Sequence, residues 1–121
     1  MKVLIADDSD FMRTVLKDIV NQSLWSGSEI LEASDGVQAI SIINKDSPDI
    51  VLLDVIMPNK DGIEVLRSSN HNTMTVIIVS SVDQASVIDE AKSLGVKNYI
   101  TKPFDKKMVI GILDSLFPKH D

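Results

Sequence analysis

The sequence predicts an α/β protein, a doubly wound parallel sheet of five strands with helices on both faces. Three observations carry that expectation. Short apolar runs alternate with stretches of helical period along the whole chain. The runs are continuously apolar, as strands covered on both faces must be. The connections are short, and right-handed crossovers then wrap the helices onto both sides of the sheet.

The first run, Val3-Leu4-Ile5-Ala6, stops at Asp7-Asp8. Phe11, Val15, Ile19 and Met12, Leu16, Val20 follow at four-residue spacing and predict a first helix. Glu29 to Ala33 is a weaker strand. Asp35 is a helix N-cap ahead of Val37, Ala39, Ile40 and Ile43. Ile50-Val51-Leu52-Leu53 is strongly apolar and ends at Asp54. Ile63 and Leu66 mark a short third helix after Asp61-Gly62. Val76-Ile77-Ile78-Val79 is β-branched throughout and ends at Ser80-Ser81. Val87, Ile88, Ala91 and Leu94 form the stripe of a fourth helix, closed by Gly95. Lys97 to Thr101 is a short strand before Lys102-Pro103. Met108, Ile112, Leu116 and Val109, Leu113 form the last helix.

Composition bounds the function. At 121 residues the chain has the size of one domain spanning 1–121, and its 44% hydrophobic content supports a core. The formal net charge of −6 argues against a nucleic acid or an anionic membrane as partner. With no cysteine, thiol catalysis, disulfides and thiolate metal sites are excluded. No apolar run approaches the roughly 20 residues that span a bilayer, and the start is too short in apolar length for a signal peptide. A cytoplasmic, monomeric protein is expected. Since the chain stops within about a turn of the last helix, no output domain is expected.

Ligands of open parallel sheets bind beyond the carboxyl ends of the strands. Here those ends carry Asp7 and Asp8, Asp54, Ser80 and Lys102, which would converge on one sheet edge. Three carboxylates in one pocket repel one another and recruit a cation. An all-oxygen set suits a hard ion such as Mg²⁺. A carboxylate can also attack phosphorus and form an acyl phosphate. Such a transfer needs charge neutralisation on the phosphoryl oxygens, which Mg²⁺, the Lys102 ammonium, the Ser80 hydroxyl and the backbone N–H groups after Asp54 would supply. Each residue has a plainer reading as well. An Asp-Asp pair after a strand is often a solvated turn, Ser80-Ser81 an ordinary turn, and a strand tyrosine such as Tyr99 a packing group. Only the conjunction is specific.

Taken together, Asp7-Asp8, the segment Leu53-Asp54-Val55-Ile56-Met57-Pro58, Asp61-Gly62, Ser80, and Tyr99-Ile100-Thr101-Lys102-Pro103-Phe104 resemble the receiver domain of two-component response regulators. The resemblance covers essentially the whole chain. It implies a flavodoxin-like (βα)5 fold with strand order 2-1-3-4-5. It implies Asp54 as phosphoacceptor, and Asp7, Asp8, Asp54 and the Ile56 main-chain oxygen as Mg²⁺ ligands. Ser80 and Lys102 would hold the phosphoryl oxygens, Ser80 and Tyr99 would form a conformational switch, and the Lys102–Pro103 peptide would be cis. Three features depart from the common pattern. Ser81 stands where Ala is usual. Ser80 follows Asp54 by only 26 positions (80 minus 54), so the loop after the third helix is expected to be trimmed. Ile56 and Val82 are apolar at positions flanking the phosphoryl group, and slow loss of the phosphoryl group to water is expected from them.

The resemblance implies an output read by a partner protein. Its readable surface is expected on the fourth helix, fifth strand and fifth helix, here Ser86, Asp89, Glu90, Ser93, Tyr99 and Lys106. The expected partners are a CheA-like histidine kinase, a motor switch protein or motor adaptor, and a phosphatase. The leading reading is a CheY-like chemotaxis regulator of a flagellar or archaellar motor. A phosphorelay intermediate serving a histidine phosphotransferase is the second. A metal-dependent phosphohydrolase is disfavoured, because Ile56 stands where such an enzyme wants a second acid, and no sequence is left for a cap. The reading is of a signalling protein, not an enzyme. His71 and His120 are expected to be exposed and inert, Trp25 to be a local packing residue, and the methionines core or loop filler.

Overall fold

A computed structural model of the chain describes residues 1–118. Ten elements alternate: β1 (Lys2–Ala6), α1 (Asp10–Asn21), β2 (Glu29–Ala33), α2 (Gly36–Asp46), β3 (Ile50–Leu53), α3 (Gly62–Ser68), β4 (Thr75–Ser80), α4 (Ala85–Ser93), β5 (Asn98–Thr101) and α5 (Lys106–Leu116). The strands pair in parallel in the order β2-β1-β3-β4-β5, so the α/β fold and its strand order are those expected. The Lys102–Pro103 peptide is cis.

The continuous apolar runs are explained by the two-sided sheet. Successive side chains point to opposite faces. Leu4, Ala6, Val51, Leu53, Val76 and Ile78 pack on one side with α2, α3 and α4 residues such as Ile43, Val65 and Ala91. Val3, Ile5, Ile50, Leu52, Ile77 and Val79 pack on the other with Leu16, Ile19, Val109 and Leu113 of α1 and α5. A strand with one solvated face would alternate with polar residues, and none of the three central strands does.

Four helix N-termini are capped by side chains. Ser9 accepts from Met12, Asp35 from Gln38, Asp61 from Glu64 in a reciprocal capping box, and Asp105 from Lys107. Each such cap contributes about 1 kcal/mol. Gln84 makes no side-chain cap bond for α4, and Ala91 is that helix's one fully buried residue.

Several expectations need correction. Phe11 is 75% exposed: it sits in the first turn of α1, and the buried stripe begins with Leu16. Val37 and Met108, which also begin helices, are exposed for the same reason. Trp25 is no local packing residue. It is buried against α5, with its indole N–H donating to the Leu113 carbonyl at 2.8 Å and its ring edge-on to Phe117 at 5.1 Å. His71 is half-buried, and Nε2 lies 2.8 Å from the Leu94 carbonyl at the end of α4. His120 lies outside the described residues. No helix among the described residues is long and apolar enough to cross a membrane.

Candidate functional site

The parallel register brings the carboxyl ends of β1, β3, β4 and β5 to one edge. Asp7 follows β1 and Asp54 follows β3, and the Asp54 N–H donates to the Ala6 carbonyl across the two strands. Ser80 ends β4, and the Lys102 N–H donates to its carbonyl. Asp7, Asp54 and Ser80 are all buried, while Asp8 is exposed. Buried polar groups survive only with partners: Asp7 and Asp54 share the Lys102 ammonium, and Ser80 takes the Val82 N–H.

Lys102 Nζ donates to Asp7 Oδ2 at 2.8 Å and to Asp54 Oδ2 at 3.0 Å. Burial alone would push the Lys102 pKa down. The hydrogen bonds to Asp7 and Asp54 outweigh burial and hold it above the ordinary lysine value. Asp7 Oδ1 accepts the Ser9 N–H, and Asp54 Oδ1 accepts a long bond from the Ile56 N–H. One ligand oxygen from each of Asp7, Asp8 and Asp54 lies within 4.8 Å of the others. Three carboxylates against one ammonium leave two net negative charges locally. That donor set, all oxygen and short of cation, fits Mg²⁺ or a similar hard ion.

The rim has its own logic. Ser80 Oγ accepts the Val82 N–H at 3.1 Å. The Tyr99 hydroxyl donates to the Val82 carbonyl, and its ring packs on the α2–α3–α4 side of the sheet. Burial raises the Tyr99 pKa; the nearby Ser80 hydroxyl opposes this, and the negative charges of Asp54 and Asp83 reinforce it. Ile56 is 58% exposed beside the acids. Gly62 is required by close approach, because a Cβ there would lie 2.3 Å from the Asp54 carbonyl oxygen. Arg13 reaches back from α1 to donate to the Asp7 carbonyl at 2.6 Å. The sequence does not mark Arg13 for this role, because its partner at the site is a main-chain carbonyl.

The structure thus brings Asp7, Asp8, Asp54, Ser80 and Lys102 to one edge, with Tyr99 and Ile56 beside them. Two residues of the expected partner face are held in surface ion pairs. Ser86, Asp89 and Ser93 are exposed on α4. Glu90 is instead tied to Arg67 of α3, and Lys106 to Asp18 of α1 at 2.9 Å.

The family model for the response regulator receiver domain matches residues 3–114. This chain belongs to that family. Among relatives of this receiver, the chemotaxis protein CheY of Listeria monocytogenes is 36% identical over 116 residues, covering 94% of this chain and 96% of that protein. Sporulation initiation phosphotransferase F of Bacillus subtilis is 37% identical over 106 residues, covering 86% of this chain and 83% of that protein. Of solved structures, a CheX–CheY–BeF3–Mg²⁺ complex from Borrelia burgdorferi superposes with a TM-score of 0.83 at 33% identity. That match covers 98% of this chain and 90% of the other. The receiver is thus a CheY-like response regulator domain of a two-component system.

Proposed function

We propose that this receiver accepts a phosphoryl group from a histidine kinase on Asp54 and signals by phosphorylation-dependent binding of a protein partner. The observation that carries the proposal is the buried ammonium of Lys102 bridging Asp7 and Asp54 in a carboxylate cluster that otherwise repels itself. A carboxylate oxygen of Asp54 attacks phosphorus, the phosphorus–nitrogen bond of the donor phosphohistidine breaks, and the imidazole nitrogen keeps the electron pair and takes a proton from solvent. Lys102 and the Ile56 N–H orient the Asp54 carboxylate. Lys102 then pairs with the phosphoryl oxygens, and the Ser80 hydroxyl donates to one of them. Bound Mg²⁺, held by Asp7, Asp8, Asp54 and the Ile56 carbonyl, would neutralise charge on the phosphoryl group. Phosphorylation adds about one to two negative charges at the site. Movement of Ser80 toward them frees the Val82 segment on which Tyr99 rests, and so alters the surface around α4 and β5.

Control of a flagellar or archaellar motor through a switch protein or adaptor is the output the CheY relatives favour. The similarity to sporulation initiation phosphotransferase F favours a second output, transfer to a histidine phosphotransferase. The test uses acetyl phosphate and Mg²⁺ with the unaltered protein and Asp54→Asn. Phosphoryl incorporation in the first and none in the second is expected, and equal incorporation would overturn the assignment. Partner capture with the BeF3-treated protein then separates the outputs, a motor protein or adaptor supporting one and a histidine phosphotransferase the other.

A further inference from the structure

The acidic residues stand on a strand end, but the loop that follows Asp54 is anchored elsewhere, on the N-terminus of α2. Asn59 lies in the left-handed region at φ 69°. That turn aims its side-chain Nδ2 at Asp35 Oδ2, 2.9 Å away. Asp35 uses its other oxygen, Oδ1, to cap α2 through the Gln38 N–H at 2.8 Å. The next residue, Gly36, donates its N–H to the Pro58 carbonyl, and a Cβ on Gly36 would lie 1.9 Å from the Lys60 carbonyl oxygen. The far end of the loop is closed by the Gly62 N–H on the Val55 carbonyl at 2.8 Å. Between these two fastenings hangs Ile56, whose N–H reaches Asp54 Oδ1 only at 3.3 Å.

We infer that Asn59 and Asp35 are positioning residues for the acceptor site: their hydrogen bond latches the loop between β3 and α3 to the α2 cap and so sets the Ile56 main chain against Asp54. The inference rests on the proposed function, since it concerns how that site is held in shape. Neither residue touches the acids. Asp35 is placed to act at a distance because one of its oxygens is committed to the rigid helix and the other to the loop. Asn59 suits the role because asparagine tolerates the left-handed conformation better than most residues while offering an amide donor.

Asn59→Gly tests the bond alone, because glycine adopts the same backbone conformation without strain. Asp35→Ser removes the acceptor for Asn59 and keeps a good helix cap. In each variant the Mg²⁺ dissociation constant should rise about tenfold, the low end of what hydrogen bonds to a metal site's supporting groups contribute. In metal-free protein, amide hydrogen exchange from Ile56 to Gly62 should accelerate while that of β1 and β3 stays unchanged. The double variant should be no worse than the worse single one, because both remove one bond. Unchanged Mg²⁺ affinity in both single variants, or additive defects in the double, would overturn the inference. Failure of the unaltered protein to take phosphoryl from acetyl phosphate would instead overturn the proposed function and leave the loop measurements standing.

Discussion

Replacing Lys102 with methionine removes the charge and keeps the apolar stem, and the consequence for stability follows from the site's geometry. Asp7 and Asp54 have side chains only 2% and 8% exposed, and both lose their ammonium partner. With carboxylate oxygens within 4.8 Å and an effective dielectric of about 20, the two charges repel by roughly 3.5 kcal/mol. The cost of that repulsion falls on the fold. It agrees with the roughly 3–5 kcal/mol expected when one partner of a buried ion pair is removed. With a urea slope of about 2 kcal/mol per M, the midpoint in metal-free buffer should drop by roughly 1.5–2 M. The assay is urea unfolding of Lys102→Met followed by far-UV circular dichroism, with and without Mg²⁺. Added Mg²⁺ should raise the variant's midpoint more than that of the unaltered protein, since the cation replaces the lost charge. Adding Asp54→Asn to Lys102→Met should restore much of the loss without metal. A metal-free midpoint equal to that of the unaltered protein would refute the reasoning.

Other consequences are as direct. Val82→Glu and Ile56→Asn place polar groups at the two apolar positions expected to flank the phosphoryl group, and each should shorten the phosphoprotein lifetime by up to roughly tenfold, well below what a positioned acid–base group supplies; a lifetime assay after acetyl phosphate removal decides it. Trp25→Phe should cost about 1–3 kcal/mol in urea unfolding, because the Leu113 carbonyl loses its buried donor; no loss would mean that the indole bond is immaterial. Alkaline titration should show stability complete below about pH 10 and declining above it. The folded protein holds the protons of Lys102 and Tyr99 more tightly than the unfolded chain, whose ordinary values are 10.5 and 10.0, so stability is lost as pH rises through the higher folded values. Urea midpoints measured from pH 8 to 11.5 check this, and Lys102→Met should flatten the decline.

Much of this fold is legible in the sequence. Continuous β-branched runs such as Val76 to Val79 have few folded homes other than a two-sided parallel sheet, and the polar residue that ends each run then has to lie on one edge. The helices were legible in number but less so in depth. Four-residue spacing joined Phe11 to Val15 and Ile19, yet periodicity does not say where along a helix the sheet stops, and Phe11 projects past it. The roles of Trp25 and His71 were hidden for a different reason. Their partners, the carbonyls of Leu113 and Leu94, are main-chain atoms of residues 88 and 23 positions away, and main-chain carbonyls have no sequence signature. The Glu90–Arg67 pair has no sequence signal, because a helical wheel shows which side chains leave the buried stripe, not which neighbouring helix receives them. The sequence marks Asp35 as a cap, but the use of its second oxygen depends on Asn59 in a turn whose sign of φ the sequence does not display.

The bond from Lys102 to Asp7 joins residues 95 positions apart, and that from Lys102 to Asp54 joins residues 48 apart. A growing chain that has made its first strand and even its third still lacks the cation that quiets their acids. On the proposed function, a kinase that requires the assembled cluster would leave unfinished or partly unfolded copies unmarked. Their number would then lower the protein's signalling capacity without adding false signal.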